Sequence, residues 1–457
     1  MKLLTDYLQP GTVYFRNRTF EPTEIMAGID AVARYLSDNL TSQSPFIYLF
    51  ASNHVKTVLA FFGIIKARRI CVVVDPGIGR LELQEMMQDT PPAACIRIDD
   101  AAISWDFSRE IEIRSTVWAD DSSEDLSDVC MMMYTAADDG YAKAAMLTHE
   151  NLASNAVSIA AGNQVNADSL SMAALPFSHA FGLQTGVITP LLSGGDSILV
   201  DNKDLVKARN IVEMLMSFAV THFYSIPAIF YIIGKILSQH KTIRTVQSFI
   251  SGGYALPDTI RDRFLDSYGI CIRQGYGLTE ASPVCSWVFY DAPARTKSIG
   301  KPISCCEMRV IQNNKSDCAK SETEEIALRG TNVMKGYYRK REATERVLRD
   351  GWLFTGDLGY MDNEGYFYLT GTNKRMINYG GVKIYPAEVE RLMKMNENVI
   401  SAAFYAEKDP LMYERVSSNI ILKRNSLAAE SNIREWMSSN LSGCKISKQI
   451  QFNIFKK

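Results

Sequence analysis

No apolar run in this chain of 457 residues reaches the roughly 18 to 20 residues that a membrane helix needs; Val58 to Ile65 and the interrupted stretch Ile226 to Leu237 are the longest. Dense Lys/Arg runs are missing too. With 49 basic and 51 acidic residues the formal charge is −2, so there is no electrostatic footprint for nucleic acid or an anionic membrane, and neither is expected as a partner. The N-terminus MKLLTDYLQPGTVY lacks an apolar core of signal-peptide length, and the expected location is cytoplasmic. There is no CxxC pair. Nine cysteines are an odd count, which argues against a disulfide framework and a zinc site; they are read as reduced, small buried hydrophobes. No internal repeat and no low-complexity linker breaks the chain. What remains, 47% apolar and 22% charged residues, is the composition of an ordinary globular protein long enough for two or more domains.

From Phe46 short apolar runs alternate with amphipathic ones: FIYLF, VKTVLAFFGIIKA, ICVVVDP, LELQEMMQD, AACIRI. This is strand, helix, strand, helix, strand, and wholly apolar strands belong in a parallel sheet covered on both faces. A second series runs from Val129 to Tyr268, including a helix expected over Gly182 to Leu192. The layout is doubly wound α/β, with ligands expected at the carboxyl ends of the strands. After Ile299 short alternating strands (CEMRVIQN, EEIALRG, GYFYLTG) indicate a small antiparallel β unit. Beyond Lys374 a compact α+β unit is expected, with strands near Ala402 to Tyr405 and Ser418 to Leu422, a helix over Ser431 to Asn440 and a last strand over Gln449 to Ile454. The expected domains are residues 1–373 and 374–457.

Three stretches concentrate chemistry. Gly351 to Glu390 joins a GWLFTGD segment, a short strand, the charged linker Thr372 to Arg375, the turn Gly380-Gly381 and a helix start at Pro386-Ala387-Glu388. Pro in the first turn with acids beside it suits the positive end of a helix dipole. Gly275-Tyr276-Gly277-Leu278-Thr279-Glu280 follows a strand, one strand after Ser251-Gly252-Gly253. Its glycines allow close backbone approach to a ligand, with a hydroxyl and a carboxylate alongside. The third is YTAADDGYAKAAMLTHENL, Tyr134 to Leu152.

Together, in register over nearly the whole chain, these stretches resemble the adenylate-forming (AMP-binding) superfamily of acyl- and aryl-CoA synthetases. The resemblance implies ATP or AMP with Mg²⁺ as cofactors, a small carboxylic acid as substrate, and CoA or the phosphopantetheine of an acyl carrier protein as thiol acceptor. It implies that Asp357 meets the ribose hydroxyls and Tyr276 stacks on adenine. By the same resemblance Thr279 touches the α-phosphate, Glu280 holds Mg²⁺, and Gly252, Gly253 and Gly277 line the nucleotide pocket. Thr135, Gly140 and Lys143 are what remains of the phosphate loop. His179, in LPFSHAFG, would lie at the acid pocket, and Lys374 would be the hinge of a small mobile domain.

The departures are as specific as the matches. The family's phosphate loop is rich in Gly, Ser and Thr, whose N–H and O–H groups cradle the triphosphate; here it has Ala136, Ala137, Asp138 and Asp139. At about 4 Å and an effective dielectric of about 20, one like-charge pair costs roughly 4 kcal/mol, enough to offset several phosphate hydrogen bonds. Weak or lost ATP binding is expected, unless Asp138 or Asp139 ligates Mg²⁺ and so reverses the local field. The Arg ahead of the hinge is Thr372. The family's C-terminal catalytic Lys has no counterpart before Lys457, with Lys456 and Lys457 several residues too early, so the small domain is read as truncated. Two functions follow. One is an acid–thiol ligase whose adenylation step is impaired; the other is a non-catalytic homologue acting as partner or scaffold of a biosynthetic pathway.

Overall fold

The computed structural model describes residues 2–98, 107–116, 124–135, 140–205, 207–237, 243, 245–290, 295–312, 316–317, 323–423 and 430–454. Ala136 to Asp139, Cys318, Lys456 and Lys457 therefore lie outside the described residues. The chain divides into two compact units. The first comprises Met1–Asp75, Pro92–Met133 and Ala145–Asn373; the second comprises Pro76–Pro91, Tyr134–Ala144 and Lys374–Lys457.

The first unit is the doubly wound α/β region with its antiparallel extension. Strands Phe46–Phe50 and Ile70–Val74 are buried at every position and pair in parallel, as do Phe46–Phe50 with Ala94–Arg97. Apolar side chains on both faces leave such strands no solvent-facing option. Helix Val55–Lys66, buried from Val55 to Ile65, lies against them, with helix Pro22–Asn39 packed so closely that a Cβ on Gly63 would come 2.5 Å from Val32. A larger sheet runs in parallel through Ile272–Gly277, Ser248–Ser251, His222–Ser225, Leu170–Ala173 and Asp196–Leu199. From Ile272–Gly277 the same sheet continues antiparallel through Val284–Trp287, Ser298–Pro302, Phe367–Thr372, Trp352–Met361 and Glu324–Gly330.

One expected helix is present but not uniformly α. In place of one uniform helix over Gly182 to Leu192, the chain forms a turn of α-helix at Ala180–Leu183, a wider π turn at Gln184–Ile188 and α-helix again at Thr189–Ser193. Pro190 has no N–H to offer Gly186, whose carbonyl accepts the Ser197 hydroxyl at 2.6 Å instead. The Thr185 hydroxyl bonds back to the Phe181 carbonyl at 2.7 Å, and the Thr189 N–H reaches Gln184 across the wider turn.

The second unit is a five-stranded sheet carrying helices. Its order is Val382–Ile384, Ile377–Tyr379, Tyr413–Leu422, Val399–Asp409, with Gln449–Ile454 parallel to Tyr413–Leu422. The hairpin strands, Val399–Asp409 and Tyr413–Leu422, extend past the expected Ala402 to Tyr405 and Ser418 to Leu422: their hairpin ends, Glu407 to Asp409 and Glu414 to Arg415, are polar, while Val399 and Val416 are buried in the core. Helices Pro386–Met393 and Glu430–Asn440 cover a core of Ile384, Val389, Leu392, Phe404, Ile420, Ile433 and Met437, against which Leu81 of helix Arg80–Asp89 also packs. Gly380 and Gly381, both at positive φ (60° and 95°), make the two-residue turn between Ile377–Tyr379 and Val382–Ile384; a hairpin turn of this length favours such backbone at both positions. Among the described residues no helix is long and apolar enough to cross a membrane, and no disulfide joins the eight described cysteines.

Candidate functional site

The Thr355-Gly356-Asp357 segment sits inside strand Trp352–Met361 and is pinned at each residue. The Thr355 hydroxyl donates to the Ile326 carbonyl at 2.7 Å and accepts from the Asp357 N–H at 3.1 Å, while the Gly356 N–H donates to Glu325 Oε1 at 2.7 Å. Asp357 is thereby buried, and its Oδ2 accepts the phenol O–H of Tyr276 at 2.7 Å. Oδ1 makes no hydrogen bond among the described residues. Desolvation first, and then the Asp357 carboxylate, push the Tyr276 phenol well above its ordinary pKa, so it stays protonated and donating. Across the ladder Asp357 faces Thr372, whose hydroxyl turns to the Gly356 carbonyl at 3.1 Å.

Strand Ile272–Gly277 delivers Tyr276 to this carboxylate and then bulges. A Cβ on Gly277 would lie 1.8 Å from the Pro283 carbonyl oxygen, so only glycine fits the return of the chain. The short turn Thr279–Ala281 follows. The Thr279 hydroxyl makes no hydrogen bond among the described residues, and the half-exposed Glu280 carboxylate accepts the Tyr337 O–H on Oε1 at 2.8 Å. Mg²⁺ takes oxygen ligands and often only one or two protein carboxylates, the rest coming from phosphate and water. Glu280 fits that demand. Among the described residues no group of three or more His, Cys, Asp or Glu forms a dedicated metal cage.

His179 stands exposed just before helix Ala180–Leu183, on a loop fixed by Asn53, whose side chain accepts from the Phe177 N–H at 2.8 Å and donates to the Leu175 carbonyl at 2.8 Å. The next aromatic, Phe181, lies against Gly252, where a Cβ would come 2.8 Å from its ring. Gly253 follows at φ +87°. The first unit thus gathers Tyr276, Gly277, Thr279, Glu280 and Asp357 on one turn and two strands, and sets the His179 loop beside Gly252. Thr135, which ends strand Val129–Thr135, Gly140, at φ +82°, and Lys143, which opens strand Lys143–Thr148, fall in the second unit with Lys374, its first residue after Asn373.

Sequence reasoning passed over two sets of residues. Tyr337 lies in a strand of only two residues, Gly336–Tyr337, too short to show periodicity. In the second unit, Lys445 is buried between Glu82, at 2.5 Å, and Glu388, at 2.8 Å, and Ser442 donates to Glu82 through both N–H and O–H. Burial pushes the Glu82 carboxyl up, but the charge and hydrogen bonds of Lys445 and Ser442 bring it below its ordinary value; for Glu388, desolvation outweighs Lys445 and the shift is upward. Burial lowers the Lys445 ammonium less than the two carboxylates raise it, and the net shift is up. Arg391 makes a bidentate pair with Glu85 (2.6 and 2.7 Å) and donates to the Gly140 carbonyl at 2.9 Å. Partners some 300 residues apart leave no local signature.

Residues 10–338 match the AMP-binding enzyme family. The chain is 27% identical to a long-chain-fatty-acid–CoA ligase of Bacillus subtilis, over 96% of this chain and 87% of that one. It is 30% identical to a feruloyl-CoA synthase of an Amycolatopsis species, over 88% and 83%. A solved structure of a double mutant of o-succinylbenzoate CoA synthetase from Bacillus subtilis, bound with a product analogue, superposes with a TM-score of 0.84 at 20% identity, covering 98% of this chain and 94% of that one. At that identity the likeness is one of fold.

Proposed function

The chain belongs to the AMP-binding enzyme family, and from that premise we propose that it is an acid–thiol ligase of the acyl- and aryl-CoA type in which the adenylation step is impaired. The observation that carries the reading is the Tyr276–Asp357 pair beside the Thr279–Glu280 turn. A protonated phenol orients a buried carboxylate whose other oxygen is left to accept ribose hydroxyls. Thr279 would meet the α-phosphate, and Glu280 would hold Mg²⁺, which supplies positive charge against the phosphates. The acid would enter beside His179 and Gly252, and the thiol would come from CoA or from a carrier-protein phosphopantetheine. The names of the relatives, a long-chain-fatty-acid–CoA ligase and a feruloyl-CoA synthase, support a carboxylic acid and CoA. Lys374 would act as the hinge, and the cytoplasm is the compartment.

Impairment is argued from composition at two places. Ala136, Ala137, Asp138 and Asp139 replace hydroxyl and glycine donors with methyls and carboxylates where a polyanion must bind. At Thr372 the resembled family has an Arg; the hydroxyl here bonds a neighbouring carbonyl and supplies no cation. Losing one positioned donor or charge at a developing oxyanion costs about 10²- to 10³-fold in rate, whereas thiol attack on a preformed acyl-adenylate makes no use of the triphosphate site.

The test offers CoA or a carrier protein together with synthetic acyl-adenylates and, separately, with free acid plus ATP, and adds pyrophosphate exchange over a panel of aryl and fatty acids. Thioester from the adenylate with slow or absent exchange is expected. Efficient turnover from acid and ATP overturns the impairment. Failure with both donors favours the second reading, a non-catalytic partner or scaffold, which the altered loop also supports.

A further inference from the structure

We infer that Tyr337 is a positioning residue for Glu280: its phenol fixes the carboxylate in the orientation that meets a divalent cation. The inference rests on the role given to Glu280 above. A glutamate side chain has wide rotamer freedom, and Glu280 is half-exposed at a turn. The phenol is the opposite case. Tyr337 is 7% exposed, its ring belongs to the main apolar core, and its backbone is held on two sides. Gly336 and Tyr337 pair with Met146 and Ala145 of strand Lys143–Thr148, and the Tyr337 N–H donates to the Thr344 hydroxyl at 2.9 Å. A hydroxyl at the end of so fixed a ring marks one point in space, and Oε1 of Glu280 lies 2.8 Å from it.

The turn that carries Glu280 has supports of its own. The Met334 N–H donates to the Glu280 carbonyl at 2.9 Å, and the buried Asn332 amide donates to the carbonyls of Ala281, at 3.0 Å, and Val284, at 3.3 Å. The backbone of the turn therefore has supports that do not involve the phenol, whose bond is to the carboxylate. A neutral donor on Oε1 fixes the carboxylate without cancelling the negative charge that a cation would meet. Removing such an outer hydrogen bond commonly costs 10- to 100-fold in metal affinity.

The experiment measures ATP binding by ligand-detected NMR, which reads weak affinities, across a Mg²⁺ titration and in metal-free buffer, for wild type, Tyr337→Phe, Glu280→Gln and the double variant. Tyr337→Phe keeps the ring and its packing, and its melting temperature verifies that it folds. The expected result is a Mg²⁺ midpoint raised about tenfold in Tyr337→Phe with metal-free ATP affinity within about twofold of wild type, and no further shift when the change is added to Glu280→Gln. An unchanged Mg²⁺ midpoint, an equal loss in metal-free buffer, or a shift that persists in the Glu280→Gln background overturns the role of Tyr337 while leaving Glu280 in place. Wild-type ATP binding that ignores Mg²⁺ overturns the reading of Glu280, and with it this inference.

Discussion

Replacing Lys445 by Met removes a buried ammonium and keeps most of its volume. In the native second unit that ammonium touches two carboxylates, at 2.5 and 2.8 Å, and the side chains of Lys445, Glu82 and Glu388 are 11%, 9% and 3% exposed. Breaking a buried ion pair by deleting one partner costs about 3–5 kcal/mol, because the remaining charge is stranded; here two are stranded, though Ser442 still donates to Glu82. The upper part of that range is expected near pH 8. The pH dependence has a definite sign. Glu388 already has a raised pKa in the folded protein, and without Lys445 only the more weakly acting Arg391 still opposes the upward push. A raised carboxyl contributes stability below its unfolded value of about 4.5 and loses it as pH climbs through the folded value. The deficit of the variant should therefore be small near pH 5, where one carboxylate takes a proton, and large near pH 8. Native-state hydrogen exchange of helices Pro386–Met393 and Arg80–Asp89 reads the local opening free energy at both pH values. A loss under about 1 kcal/mol at pH 8, or an equal loss at the two pH values, refutes the stranded-charge account.

Tyr276→Phe should cost about 1.5–3 kcal/mol of stability, the worth of a hydrogen bond to a charged group, and should narrow the preference for ATP over 2′-deoxy-ATP; calorimetry with both nucleotides checks this, and an unchanged preference speaks against Asp357 as the ribose acceptor. Gly277→Ala places a methyl 1.8 Å from the Pro283 oxygen and should lower the melting temperature by several degrees, whereas Gly371→Ala, with nothing within 4 Å of its Cβ, should not. Asp138→Thr with Asp139→Thr should strengthen ATP binding, since a like-charge contact at about 4 Å would cost roughly 4 kcal/mol; titration of both forms with and without Mg²⁺ decides, and tighter binding lost only without the metal would instead mark these carboxylates as its ligands.

Much of the fold could be read from the chain because the signal is local. FIYLF and ICVVV are apolar at every position and became doubly covered strands, and Gln449–Ile454 forms the last strand as expected. Where side-chain chemistry competes with periodicity the reading was less complete: Pro190 and Thr185 put a π turn inside one helix, and the polar end Glu407 to Asp409 of the Val399–Asp409 hairpin strand carries no apolar signal. Around the candidate site, Tyr276, Thr279, Glu280 and Asp357 were singled out as candidates through their motifs. The hydrogen bond between Tyr276 and Asp357, the Tyr337 donor and the Lys445 cluster were not, because each is a contact between distant positions.

The Tyr276–Asp357 bond spans 81 residues of sequence and crosses three intervening strands of the sheet, Val284–Trp287, Ser298–Pro302 and Phe367–Thr372. It forms only after every one of those strands has found its neighbour. Non-local pairings of this kind pay their loop-closure cost before any contact rewards them, and they come late and slowly. A chain emerging from the ribosome has Tyr276 long before it has Asp357, and even then the Asp357 carboxylate lacks its phenol donor until the antiparallel extension has closed. On the reading proposed for Asp357, nucleotide recognition would therefore be a signal of completed assembly: a partly folded chain with an intact parallel sheet would hold all of the glycine-rich motif and still lack the carboxylate proposed to meet the ribose.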